Sequence, residues 1–223
     1  MNRVALITDA QTPLADQLIR RYLSEGYSVA ATRSQKVRID TPLVSEDEDL
    51  LLIEWNRTSP ISAKNVLLTA LNRFDRIDET LLLFTPELEQ KLLQETSAET
   101  MDRAVDTWIK GALFLMKAVL ELYTQKQGGC LALINHLLQE EGAVLPPLES
   151  ALRGGFTAAA GAVFASNSQR KVFINGFESR SQKVEELADF IFDTMKNRGA
   201  RVSGKWFRFP PRPGILSALN PKQ

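Results

Sequence analysis

The 223-residue chain holds one cysteine and one histidine, and each scarcity excludes chemistry. Cys130 has no second thiol to pair with, so no internal disulfide forms; inside the apolar run CLALI it reads as a buried strand thiol. With a single histidine and a single cysteine, no zinc or iron–sulfur ligand spacing exists. A charge excess is also missing: 27 basic residues balance 27 acidic ones, for a formal net charge of zero. Nucleic-acid binders carry a basic surplus, and no Lys/Arg-rich run interleaved with aromatics occurs, so nucleic acid is not an expected partner. The longest apolar runs, such as LLLF at 81–84, are strand-sized and far short of a membrane span, so no membrane partner is expected. The first strand follows the N-terminus so closely that no room is left for a signal peptide, and a cytoplasmic protein is expected. What is present is ordinary for a globular protein: 44% hydrophobic, 24% charged, and long enough for one sizeable core.

Strands and helices alternate along the chain. VALIT at 4–8 is a buried strand, and Thr12 with Pro13 opens a helix as N-cap and first helical residue. Leu14, Leu18, Ile19, Tyr22 and Leu23 form that helix's apolar face, and Gly26 stops it. YSVAATR, the strand after EDED, TLLLF, CLALIN, KVFINGF and KWFRF supply further strands. Helices are expected over AKNVLLTALNRF, over 99–125, over 150–166 and over VEELADFIFDTMKN. This order predicts one α/β domain over 1–223: a doubly wound, three-layer α/β/α structure on a parallel, Rossmann-type sheet, with a proline-punctuated tail at about 210–223.

Four segments carry a family resemblance. MDRAVDTWIKGALFLMKAVL resembles the helix "WDxVxxVNLxGxF…KAVL" of the short-chain dehydrogenases/reductases, and GGCLALINHLL resembles their strand "GGxIVNISS". Their YxxxK motif falls on Glu149 and Arg153, thirteen residues beyond His136, and their "RVNxV" strand matches FINGF with Asn175 in place. The register runs from Met101 to Ser179 without a gap, yet the catalytic Asn, Ser, Tyr and Lys are replaced by Trp108, His136, Glu149 and Arg153. Glutamate is a base at neutral pH where the family's Tyr acts as an acid, and Arg153 is no substitute for a lysine ammonium. An ion pair between Glu149 and Arg153, four apart on one helix face, is the structural alternative to an acid–base site.

The family's TGxxxGxG turn, on which dinucleotide phosphates rest, becomes TDAQTPLA, with Asp9, Pro13 and Ala15 at the three glycines. Pro13 removes an N–H from the helix start, and Asp9 brings a carboxylate toward the phosphates. Asp16 adds a charge worth about 2 kcal/mol of repulsion at ~7 Å and an effective dielectric near 20. Leu82, Leu83, Phe84 and Thr85 replace the family's NNAG, with apolar bulk where a ribose would lie. Arg33, where NADP-preferring members place an arginine, and Asn56, at the adenine-contacting Asp, are the favourable cofactor-binding candidates beside Asp9, Thr12 and Pro13. The expected cofactor is none, or NADP held weakly. The family's mobile substrate cover after the sixth strand is absent, because FESRSQKVEELADF runs almost at once into the last helix.

Kept instead are the helices through which family members associate. The resemblance implies a homo-oligomer, dimer or tetramer, or a heteromer with an active relative. Ala112, Leu115, Met116, Val119 and Leu120 on one helix, and Ala158, Ala159 and Ala162 on the other, are the expected contact faces. The leading expectation is a catalytically silent protein of this fold acting by binding. The alternatives are a divergent NADP-dependent oxidoreductase using His136, Glu149 and Arg153, and a nucleotide-binding regulatory sensor.

Overall fold

The computed structural model describes residues 2–34, 48–138, 144–167, 171–198 and 202–210. Seven strands form one sheet in the order β3-β2-β1-β4-β5-β6-β7. They are β1 Val4–Ile7, β2 Ser28–Arg33, β3 Leu50–Glu54, β4 Glu79–Phe84, β5 Gly129–His136, β6 Val172–Ser179 and β7 Trp206–Phe209. Every neighbouring pair is parallel. Helices cover both faces, which is why the central strands are apolar throughout: all six residues of β4 are buried.

Side-chain alternation divides the core into two layers. Leu131 and Leu133 of β5 face α2 (Pro60–Phe74), α4 (Gly111–Lys126) and α5 (Pro147–Ser166). Cys130, Ala132 and Ile134 face α1 (Pro13–Ser24) and α6 (Val184–Arg198). Burial, reinforced by the nearby Glu79 carboxylate, pushes the Cys130 thiol up to about 12, so it behaves as a small apolar side chain. The α1 helix begins as its residues dictate: Thr12 Oγ1 accepts from Ala15 N at 3.3 Å and Pro13 occupies the first turn. Gly26, at φ 78°, takes the left-handed backbone that ends it.

The expected single helix over 99–125 is interrupted. It comprises α3 (Ala98–Ala104), a π-helical stretch (Val105–Lys110) and then α4. Gly111 N reaches back to the Asp106 carbonyl, the wider hydrogen-bond step of a π turn. Trp108 lies within that stretch and is half-buried against Phe84, ring centroids 5.7 Å apart. The connection from β6 to α6 is short, as the sequence implies, and β7 closes the sheet at the expected position. Of the tail, 211–223 lies outside the described residues.

Candidate functional site

Strand order reverses between β1 and β4, and doubly wound sheets take ligands in the crevice at the carboxyl ends of such a switch point. Here that crevice is built around a buried ion pair. Asp9, directly after β1, has φ 60°, which an aspartate tolerates better than most residues. The turn is fixed by Asp9 N donating to Thr32 Oγ1 at 3.2 Å and Ala10 N donating to the Thr32 carbonyl at 2.7 Å. Only 4% exposed, Asp9 pairs with Arg57 Nη2, which also lies 3.4 Å from the Leu83 carbonyl at the end of β4. The guanidinium carbon sits over two indole rings, 4.3 Å from the Trp55 centroid and 4.5 Å from that of Trp108. Breaking a buried pair of this kind costs about 3–5 kcal/mol, and each desolvated cation–π contact adds up to about 2.

The loop carrying Arg57 is held in place locally. Trp55 N donates to the Arg33 carbonyl at 2.9 Å and Asn56 N to Ser62 Oγ at 3.0 Å. Asn56 Oδ1 accepts from Thr58 N and from the Thr58 hydroxyl, and Ser59 caps α2. The buried Trp55 Nε1, Arg57 Nη1, Thr85 Oγ1 and Gln11 Oε1 around this crevice have no protein partner among the described residues.

Beside it lies a cleft of about 210 Å³ between the start of α1 and the ends of β4 and β5, lined among others by Thr12, Pro13, Thr85, His136, Glu149 and Arg153. This is below the roughly 300–1,000 Å³ of pockets that enclose drug-sized ligands. Arg153 is held by four hydrogen bonds. Nε donates to Glu149 Oε1 at 2.9 Å, Nη1 to Asn135 Oδ1 at 2.8 Å and the His136 carbonyl at 3.0 Å, and Nη2 to the Pro86 carbonyl at 3.1 Å. The Nη2–Glu149 Oε1 ion-pair distance is 2.8 Å. Glu149 Oε2 accepts from Leu88 N at 3.4 Å. The His136 ring nitrogen Nε2 lies 2.9 Å from the Ser181 carbonyl, which can only accept, so Nε2 carries the proton. Burial, with the Arg153 charge adding to it, pulls the His136 pKa below its ordinary value, against the opposing bond to Ser181.

No family profile and no curated protein sequence matches the chain. Solved structures do. A 3-ketoacyl-(acyl-carrier-protein) reductase from Brucella melitensis, complexed with NADH, superposes with a TM-score of 0.78 at 13% identity, covering 93% of this chain and 96% of that one. ElxO with NADP bound gives 0.78 at 16% identity, covering 93% and 97%. A short chain dehydrogenase from Bacillus anthracis gives 0.77 at 14% identity, covering 93% and 94%. The fold is that of the short-chain dehydrogenases.

Within that fold three of the positions singled out by sequence gather at one end of the sheet. His136, Glu149 and Arg153 line one cleft, yet the imidazole is bonded to Ser181 and the other two to each other. Trp108 packs on Phe84, which stacks on Phe156 at 4.1 Å within the core layer. Leu82 is buried in the same core layer. Asn175 bonds elsewhere, donating to the Val202 carbonyl at 2.7 Å. Arg33 is 37% exposed on its side chain and meets Glu54 at 3.5 Å. Asn56 is exposed and its carbonyl is taken by Thr58. One expectation needs correcting: the Asp9 carboxylate is turned inward onto Arg57, not outward toward a phosphate. Arg57 itself went unnoticed in the sequence. Its signal was indirect, a carboxylate at a glycine position that must find a cation if buried.

The start of α1 offers a phosphate few donors: Pro13 has no N–H, and those of Ala15 and Asp16 are bonded to Thr12. The Asp16 carboxylate stands in the first turn, held by Arg20 at 3.0 Å. Arg57 and its two indoles pack at the switch point beside that cleft.

Proposed function

We propose that this chain uses the short-chain dehydrogenase fold without its hydride chemistry, and acts by binding as a homo-oligomer or as the partner subunit of an active relative. The observation that carries this reading is the Asp9–Arg57 pair under Trp55 and Trp108, which occupies the switch-point crevice with the chain's own side chains. The hydrogen bonds and ion pair that tie Arg153 to Glu149, Asn135, His136 and Pro86 support it, because Arg153 and Glu149 are committed to each other rather than poised for proton transfer. NADP binding, by this reading, is absent or weak. Calorimetric titration of NADPH is expected to give no saturation up to about 1 mM, and micromolar affinity would overturn the proposal.

Association is supported by the outer face of α5. Its exposed residues include Ser150, Ala151, Gly154, Ala158, Gly161 and Ala162, and the helix's two charged residues, Glu149 and Arg153, are both buried. A surface helix with no exposed charge suits close contact with another helix. The α4 pattern Ala112, Leu115, Met116 and Val119 belongs to the protomer's own core, with Leu120 half-buried against it. Leu113, 41% exposed, is the outward apolar residue there. Sedimentation at micromolar concentration is expected to show at least a dimer; a monomer would leave only the mixed complex.

A further inference from the structure

We propose that the switch-point crevice is a guanidinium-recognition site whose ligand, Arg57, is supplied by the chain itself. This rests on the reading that a dinucleotide does not enter, and names what the crevice recognises instead. A carboxylate at 4% exposure, Asp9, meets the cation's charge. Two indole faces lie within 4.5 Å of the guanidinium carbon, and the Leu83 carbonyl lies within reach of an N–H. A planar, weakly hydrated cation satisfies stacking and hydrogen bonding together; a compact, strongly hydrated ammonium does not.

The backbone is shaped to this occupant from three sides. The left-handed turn at Asp9 aims its carboxylate inward, and the bonds of Asn56 and Ser59 fix the loop. The third side is Gly111 of α4, where any Cβ would come within 2.9 Å of Arg57 Cβ. A solvated surface arginine requires none of these. The cradle that a short-chain dehydrogenase fold offers to a diffusible cofactor is thus filled by a tethered one-residue ligand, and the fold is complete without a cofactor.

Chemical rescue tests the assignment. Arg57→Ala is expected to lower Tm by roughly 6–20 °C, the loss of a buried ion pair in a chain of this size. About 10 mM methylguanidinium is expected to restore several degrees by mass action, while equal methylammonium or sodium chloride does not and wild type responds to none of them. No recovery, or equal recovery with methylammonium, overturns the proposal. If Arg57→Ala does not fold, the wild-type Arg57 side-chain N–H resonances decide: two indole faces must shift them upfield, and unshifted resonances overturn it. NADPH separates this inference from the reading beneath it. Tight NADPH binding that leaves those resonances in place sinks the closed crevice and spares the guanidinium site.

Discussion

A methyl group on Gly111 would stand 2.9 Å from Arg57 Cβ and 3.0 Å from the Arg57 carbonyl oxygen. A glycine inside a helix costs about 1 kcal/mol against alanine, so its presence at the first position of α4 calls for a reason. The neighbour is Arg57 backbone, which cannot swing aside as a side-chain tip can. Gly111→Ala is therefore expected to destabilise by roughly 1–3 kcal/mol where an ordinary helical site would gain. Urea denaturation measures the sign, and a stabilised variant would show that the α4–loop contact is slack.

His136 is the only imidazole, so its titration can be assigned without ambiguity. Its folded pKa lies below the ordinary 6.5, chiefly through burial. The unfolded chain then takes the proton first, so this residue's contribution is full above about pH 6.5 and is lost as pH falls through the folded value. The imidazole resonance should titrate with a midpoint below 6.5. His136→Gln should flatten the fall of Tm between about pH 7 and 5. A midpoint at the ordinary value would mean that the ring is solvated.

Restoring the family's tetrad in place (Trp108→Asn, His136→Ser, Glu149→Tyr, Arg153→Lys) should yield no measurable carbonyl reduction with NADPH. Catalytic groups act only on reactants held in reacting geometry, and with Trp108 replaced the Asp9–Arg57 pair and Trp55 still stand at the switch point. The variant should also lose more than about 3 kcal/mol, because a lysine cannot reproduce the four hydrogen bonds and the ion pair of Arg153. Reductase activity in a stable fourfold variant would show that the cradle is open to a cofactor after all.

Ala162 is exposed on the charge-free face of α5. Ala162→Arg should dissociate the oligomer while preserving the circular dichroism and melting of a folded monomer, because closed two-fold symmetry puts each substitution in the interface twice. An unchanged sedimentation coefficient would move the contact elsewhere.

The strand–helix alternation was legible because each element announces itself locally, Thr12-Pro13 opening α1 and Gly26 closing it. The π stretch at Val105–Lys110 was not: no proline or glycine lies within VDTWIK to mark it. Register placed His136, Glu149 and Arg153 in one cleft, but not their hydrogen bonds, since the acceptors at Pro86 and Ser181 lie on two other segments. Arg57 was hidden for the same reason. It meets Asp9 across 48 positions, a pairing that no local pattern encodes.

The link between β6 and α6 spans only four residues, 180–183, and its Ser181 carbonyl holds the His136 ring. A longer link would carry that carbonyl away and leave a buried N–H with nothing to bond, at roughly 1–3 kcal/mol. Connector length and the residue at 136 are therefore physically coupled: a variant with a lengthened link is expected to tolerate an apolar residue at 136 better than the histidine.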